Sequence, residues 1–96
     1  MKIAVTYQDG DIFQHFGHTE FFKIYDIENT DIVKTEIVST NGSGHGALAQ
    51  FLHEHSVDTL ICGGIGGGAQ MALPQAGIRL YGGVAGKADD AVNALL

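Results

Sequence analysis

The sequence predicts a single α/β domain built on a mixed five-stranded sheet. Three observations carry that expectation. Short apolar runs rich in β-branched and aromatic residues recur along the chain, helical patterns separate the later runs, and glycine clusters close them. The 96 residues suffice for one core and are too few for two, so one domain over 1–96 is expected. With 45% apolar and 17% charged residues, the chain has the apolar content that a packed core needs and disordered segments lack.

Ile3, Ala4 and Val5 form the first buried strand, and Gln8-Asp9-Gly10-Asp11 reads as a turn. Residues 12–20 form a loop that holds His15-Phe16-Gly17-His18. Residues 21–27 are aromatic and β-branched and read as a second strand. A polar turn at 28–31 leads to a third strand over 32–38, making an antiparallel hairpin. Leu48, Phe51, Leu52 and His55 share one face of a helix over about 46–55, with Ser43 as its expected N-cap. Residues 59–62 form a fourth strand, stopped by Gly63-Gly64. A second helix opens near Gly66 and should end or kink at Pro74, because proline inside a helix costs about 3 kcal/mol. Residues 78–81 form a fifth strand, and Ala88, Ala91, Val92 and Leu95 mark a last helix.

The order β-β-β-α-β-α-β-α makes the later strands parallel, through right-handed crossovers. The simplest sheet then has strand order 3-2-1-4-5, with strand two antiparallel to the rest. The chain changes its direction of growth between strands one and four. Open α/β sheets bind ligands at such a switch point, beyond the carboxyl ends of the strands. The loop at 15–18 and the segment 62–66 leave the sheet there.

Charge narrows the partners. Five Lys and Arg against eleven Asp and Glu leave a formal net charge of −6. Binding a nucleic-acid backbone needs a basic surface, so a nucleic-acid partner is not expected. The apolar run at 3–5 is too short for a signal core or a membrane span, and the single Cys62 allows no internal disulfide. A cytoplasmic protein is expected.

Candidate chemistry lies in the histidines and the glycine clusters. His15 and His18 flank Phe16-Gly17, and the glycine allows a turn that aims both rings at one point. His45, between Gly44 and Gly46, stands at a helix start, where the dipole favours an anion. His53 and His55 near the end of that helix read as structural. Cys62 reads either as a thiolate ligand for a soft metal or as a buried apolar residue. The backbone from Gly63 through Gly64 to Gly66 reads as a cradle of N–H groups for an anion, or as tight turns alone. Asp9, Asp11, Glu20, Asp26 and Asp58 are the carboxylates from which a metal-dependent, nuclease-like hydrolase would have to be built, and no pair shares a strand end.

Taken in order, Lys2-Ile3-Ala4-Val5, then His15-Phe16-Gly17-His18 leading to Phe21-Phe22, Gly44-His45-Gly46, Ile61-Cys62-Gly63-Gly64-Ile65-Gly66 and Ala76-Gly77-Ile78 resemble the dinitrogenase iron–molybdenum cofactor biosynthesis family. The resemblance covers essentially the whole chain. It implies a ribonuclease H-like three-layer α/β/α fold. It also implies non-catalytic binding or carriage of an anionic metal–sulfur cluster: the iron–molybdenum cofactor, its precursor or a related cluster. By position, His15, His18 and His45 match the family's histidines and the 62–66 turn its cradle. The implied partners are the cluster itself and cluster-biosynthesis or acceptor proteins of pathways related to nitrogen fixation. A regulatory or interaction domain that has lost cluster binding is the alternative.

Overall fold

A computed structural model describes residues 1–42 and 45–96, with the side chains of residues 45 and 46 outside the description. The elements run β1 (Lys2–Gln8), β2 (Asp11–Ile12), a 3-10 turn (Phe16–His18), β3 (Phe21–Glu28), β4 (Asp31–Ser39), α1 (His45–Glu54), β5 (Thr59–Ile61), α2 (Gly67–Gln75), β6 (Arg79–Tyr81) and α3 (Ala88–Leu95). The main sheet has the order β4-β3-β1-β5-β6. β3 is antiparallel to β1 and β4, while β1, β5 and β6 are parallel. This is the mixed topology expected from the sequence. The expected Ser43 cap lies outside the described residues.

The period-two alternation of the strands divides the core. On one side of the sheet, Ala4, Phe22, Ile24 and Leu60 pack with Leu48 and Leu52 of α1 and Leu73 of α2. On the other, Ile3, Val5, Tyr25 and Ile61 pack with Ala88 and Val92 of α3. The result is three layers, and β1, at the centre, is buried on both faces from Ile3 to Thr6. α3 is also tied down by polar contacts. The buried Tyr25 hydroxyl donates to Asp89 Oδ1 at 2.6 Å, and Lys23 Nζ meets the same oxygen at 2.8 Å. The hydrogen bonds from Lys23 and Tyr25 hold the Asp89 carboxyl below the usual carboxylate range, while burial and Asp89 push the Tyr25 phenol up.

Two local features differ from the sequence expectation or refine it. The turn after β1 is a true hairpin, in which β2 pairs Tyr7↔Ile12 and Gln8↔Asp11. Asp9 and Gly10 both have positive φ, +51° and +91°, as a two-residue hairpin turn of mirror-image type requires. The returning strand is only two residues long, too short to show alternation in the sequence. Pro74 sits one residue before the end of α2, where it removes a single hydrogen bond at little cost to the rest. The helix then closes on Gly77 at φ +78°, with Gly77 N–H donating to Pro74 C=O at 3.0 Å and Ile78 N–H to Leu73 C=O at 2.9 Å.

Candidate functional site

Because β1, β5 and β6 are parallel, their carboxyl ends share one edge of the domain. The backbone locks the loops leaving them together. Gly64 N–H donates to Gln14 C=O at 2.7 Å, and Phe16 N–H donates to Gly64 C=O at 3.0 Å, forming a short parallel bridge of His15 with Gly64. Gly83 N–H donates to Gly63 C=O at 2.9 Å, and Ile12 N–H donates to Gly86 C=O at 2.9 Å. The Gln14 side chain adds a further tie, its Nε2 donating to Ile12 C=O at 3.0 Å and Val84 C=O at 3.1 Å. The glycines of the loops after β5 and β6 thus meet each other and residues 12–16 through their backbones.

Phe16 is the apolar anchor of the 15–18 loop. It is 2% exposed, packs in the α1 and α2 cluster and lies 6.2 Å from the Phe22 ring centroid. Anchoring the middle of the loop leaves His15 and His18, on either side, exposed. The two histidines line adjoining hollows. His18 lines a groove of about 480 Å³ with Tyr7, Phe13, Phe21 and Ile37, and the carboxylates Asp9 and Glu20 share that groove. His15 lines a shallower hollow of about 370 Å³ with Asp11, Ile12 and Gln14, its ring edge-on to Phe13 at 6.1 Å. Gln8, Asp9 and Phe13 line both hollows and form the wall they share.

The remaining candidates separate by environment. Gly63 is buried, and a Cβ there would stand 2.7 Å from Gln14 Cα, so glycine is required by the close approach of the loop. The N–H of Gly64 is committed to Gln14. Gly63 and Gly64 therefore moor the 15–18 loop, and the Gly64 N–H is taken up in doing so. Gly66 differs: it is exposed and caps α2, and it is followed by Gly67 and Gly68, whose Cβ positions face open space. The first N–H groups of a helix have no partner within it, so this end of α2 offers donors to an anion. His45 opens α1 at the same edge of the sheet, where β4 ends, and its side chain lies outside the described residues.

The surroundings of Cys62 favour its reading as a buried apolar residue over that as a metal ligand. Its side chain is fully buried in the apolar cluster, and burial pushes the thiol up to about 11. A thiolate is the form that binds metal, and this environment disfavours it. We expect iodoacetamide to leave Cys62 unmodified in the native protein at pH 8 and to alkylate it fully in denaturant, as mass spectrometry would record. Rapid native alkylation would contradict this placement. His55 is structural: its Nδ1 lies 2.9 Å from Phe51 C=O and its ring 4.4 Å from the Phe51 ring. Among the described residues no three His, Cys, Asp or Glu side chains gather as a metal-ion site, so the hydrolase reading lacks its carboxylate group there. No described helix is long and apolar enough to cross a membrane.

Sequence reasoning did not single out Gln14 or Phe13. Neither residue type carries a motif, and the only signal was the paired Gly63-Gly64, which announces a close approach without naming what approaches.

Known proteins share both sequence and fold with this chain. The family model described as dinitrogenase iron-molybdenum cofactor matches residues 1–96. An uncharacterized protein of Methanocaldococcus jannaschii, MJ0580, is 33% identical over 86 residues, covering 84% of this chain and 73% of that protein. The crystal structure of PH0822 superposes with a TM-score of 0.93 at 30% identity, over 99% of this chain and 88% of the other. The apo form of the orange protein from Desulfovibrio gigas superposes with a TM-score of 0.84 at 28% identity, over 98% of this chain and 85% of the other. With its family model matched from first residue to last, the chain belongs to the dinitrogenase iron–molybdenum cofactor family.

Proposed function

We propose that this protein binds and carries an anionic metal–sulfur cluster, of the iron–molybdenum type or related to it, without transforming it. The observation that carries the reading is the His15 bridge to Gly64. It holds an imidazole-bearing loop two residues from Gly66, the cap of α2. His15 then supplies a ligand or a proton donor, and the amides at Gly66 supply N–H donors to the cluster's sulfur atoms. His18 flanks the same turn, and His45, a match by family position, opens α1 at the same edge. A local site of this kind is what a chain of net charge −6 needs to hold an anion against its overall field. Family membership supports the class of cargo. A relative solved as an apo form supports uptake of a ligand by this fold.

Delivery to or from cluster-biosynthesis and acceptor proteins in the cytoplasm follows from this reading. The test is anaerobic titration of the purified protein with isolated iron–molybdenum cofactor, followed by visible absorbance after gel filtration. A coloured one-to-one complex is expected. The double variant His15→Ala/His18→Ala should weaken binding about tenfold or more. Equal binding by that variant would remove the loop from the site. Failure of the wild type to take up any cluster would favour the regulatory or interaction role.

A further inference from the structure

β4 is the outer strand on one side of the sheet, paired only with β3 among the described residues. Thr40 N–H donates to Glu20 C=O at 2.9 Å, which marks that level of the β3–β4 ladder as hydrogen-bonded. Bonded and non-bonded levels alternate in an antiparallel ladder. The register Phe22↔Val38, Lys23↔Ile37, Ile24↔Glu36 and Tyr25↔Thr35 therefore turns the backbone groups of Thr35 and Ile37 outward, to the open edge. Along this edge Val33 is 54% exposed and Ile37 55%, and between them stand Lys34 and Glu36, which are exposed as well.

We propose that β4 is a self-pairing edge through which two copies of this chain join antiparallel into one continuous sheet, about a two-fold axis at Thr35. In that register Val33 of each copy faces Ile37 of the other, and Lys34 faces Glu36. The Lys34–Glu36 level is the non-bonded one, where opposed side chains come closest. Moving the axis by one residue keeps the outward backbone groups in register, but it sets Lys34 against Lys34 or Glu36 against Glu36. Like charges directly opposite are destabilising, so the register about Thr35 is favoured over its two neighbours. A lysine on an edge strand ordinarily discourages pairing. Here Glu36, 3.9 Å from Lys34 within the chain, also stands opposite the lysine of an antiparallel copy. A segment of another protein would have to reproduce this pattern, which a second copy has by symmetry.

A single strand pair buries less than a standard interface, so the dimer is a weak one. Sedimentation velocity from about 10 μM to about 1 mM covers the range in which such an interface is populated. The mean mass of the wild type is expected to rise toward two chains. Lys34→Glu and Glu36→Lys should each weaken the dimer about tenfold. An equimolar mixture of the two variants should dimerise again, because each then meets its opposite charge. Thr35→Pro should remain monomeric with an unchanged circular dichroism spectrum, since the N–H it removes is not used by β3. A wild type that stays monomeric at the highest concentration overturns the proposal. So does a dimer that neither the charge variants nor Thr35→Pro weaken, since it would use another surface.

Discussion

Replacing Phe16 by alanine is expected to lower the unfolding free energy by about 3–5 kcal/mol, the range for removing a buried aromatic side chain. Phe16 is 2% exposed and inserts between the sheet and α1, although it belongs to a loop. Its removal leaves a cavity beside Phe22. At about 4–8 °C per kcal/mol for a domain this small, the melting temperature should fall by well over 10 °C. The loss has a functional side. The Phe16 N–H bond to Gly64 and the His18 N–H bond to His15 C=O at 3.0 Å both depend on the ring being seated. Amide exchange at residues 16–19 should therefore accelerate more than exchange in β1 or β5. Cluster affinity should also fall, although both histidines remain. A change of under 1 kcal/mol in a guanidinium melt would show that the loop is held by its backbone alone.

The second large effect is expected at Gly63. A methyl group there meets Gln14 Cα, Cδ and Oε1, each at 2.7 Å. The side chain of Gln14 can swing away, but its Cα cannot retreat without breaking the 2.7 Å bond from Gly64 N–H. Gly63→Ala should cost about 1–3 kcal/mol as overpacking and detach the loop at its mooring. Gly68→Ala is the contrast. That position has open space and lies in α2, so the change should stabilise by about 0.5–1 kcal/mol. Chemical denaturation of the pair reads the difference directly. Similar stabilities for the two variants would refute the close approach at Gly63.

These two positions show how far the sequence reaches. Periodicity carries the elements: Leu48 and Leu52 predict the α1 face, Ile3 to Val5 predict a buried strand, and alternating strand and helix predict the parallel half of the sheet. Each of these is a local pattern repeated over several residues, and burial of apolar surface enforces it wherever the chain goes. The first turn is legible for the same reason, since Asp9 and Gly10 occupy backbone conformations that few other residues accept at low cost.

The site was legible only in part. That His15 and His18 share an exposed loop at the switch point could be read from the sequence, because topology follows from element order. That they line two adjoining hollows could not, because the path of the loop depends on where Phe16 seats and how Gly64 grips the backbone. Cys62 carried two readings in the sequence, and its burial in the apolar cluster favours the apolar one. Sequence by itself determined the strand order and the edge where loops converge, since those follow from element order and from which residues must leave water. Only the tertiary structure decided which glycines hold the loop and which leave donors open. That depends on contacts between residues about fifty positions apart, such as Gln14 with Gly63 and Gly64, and no local pattern encodes them.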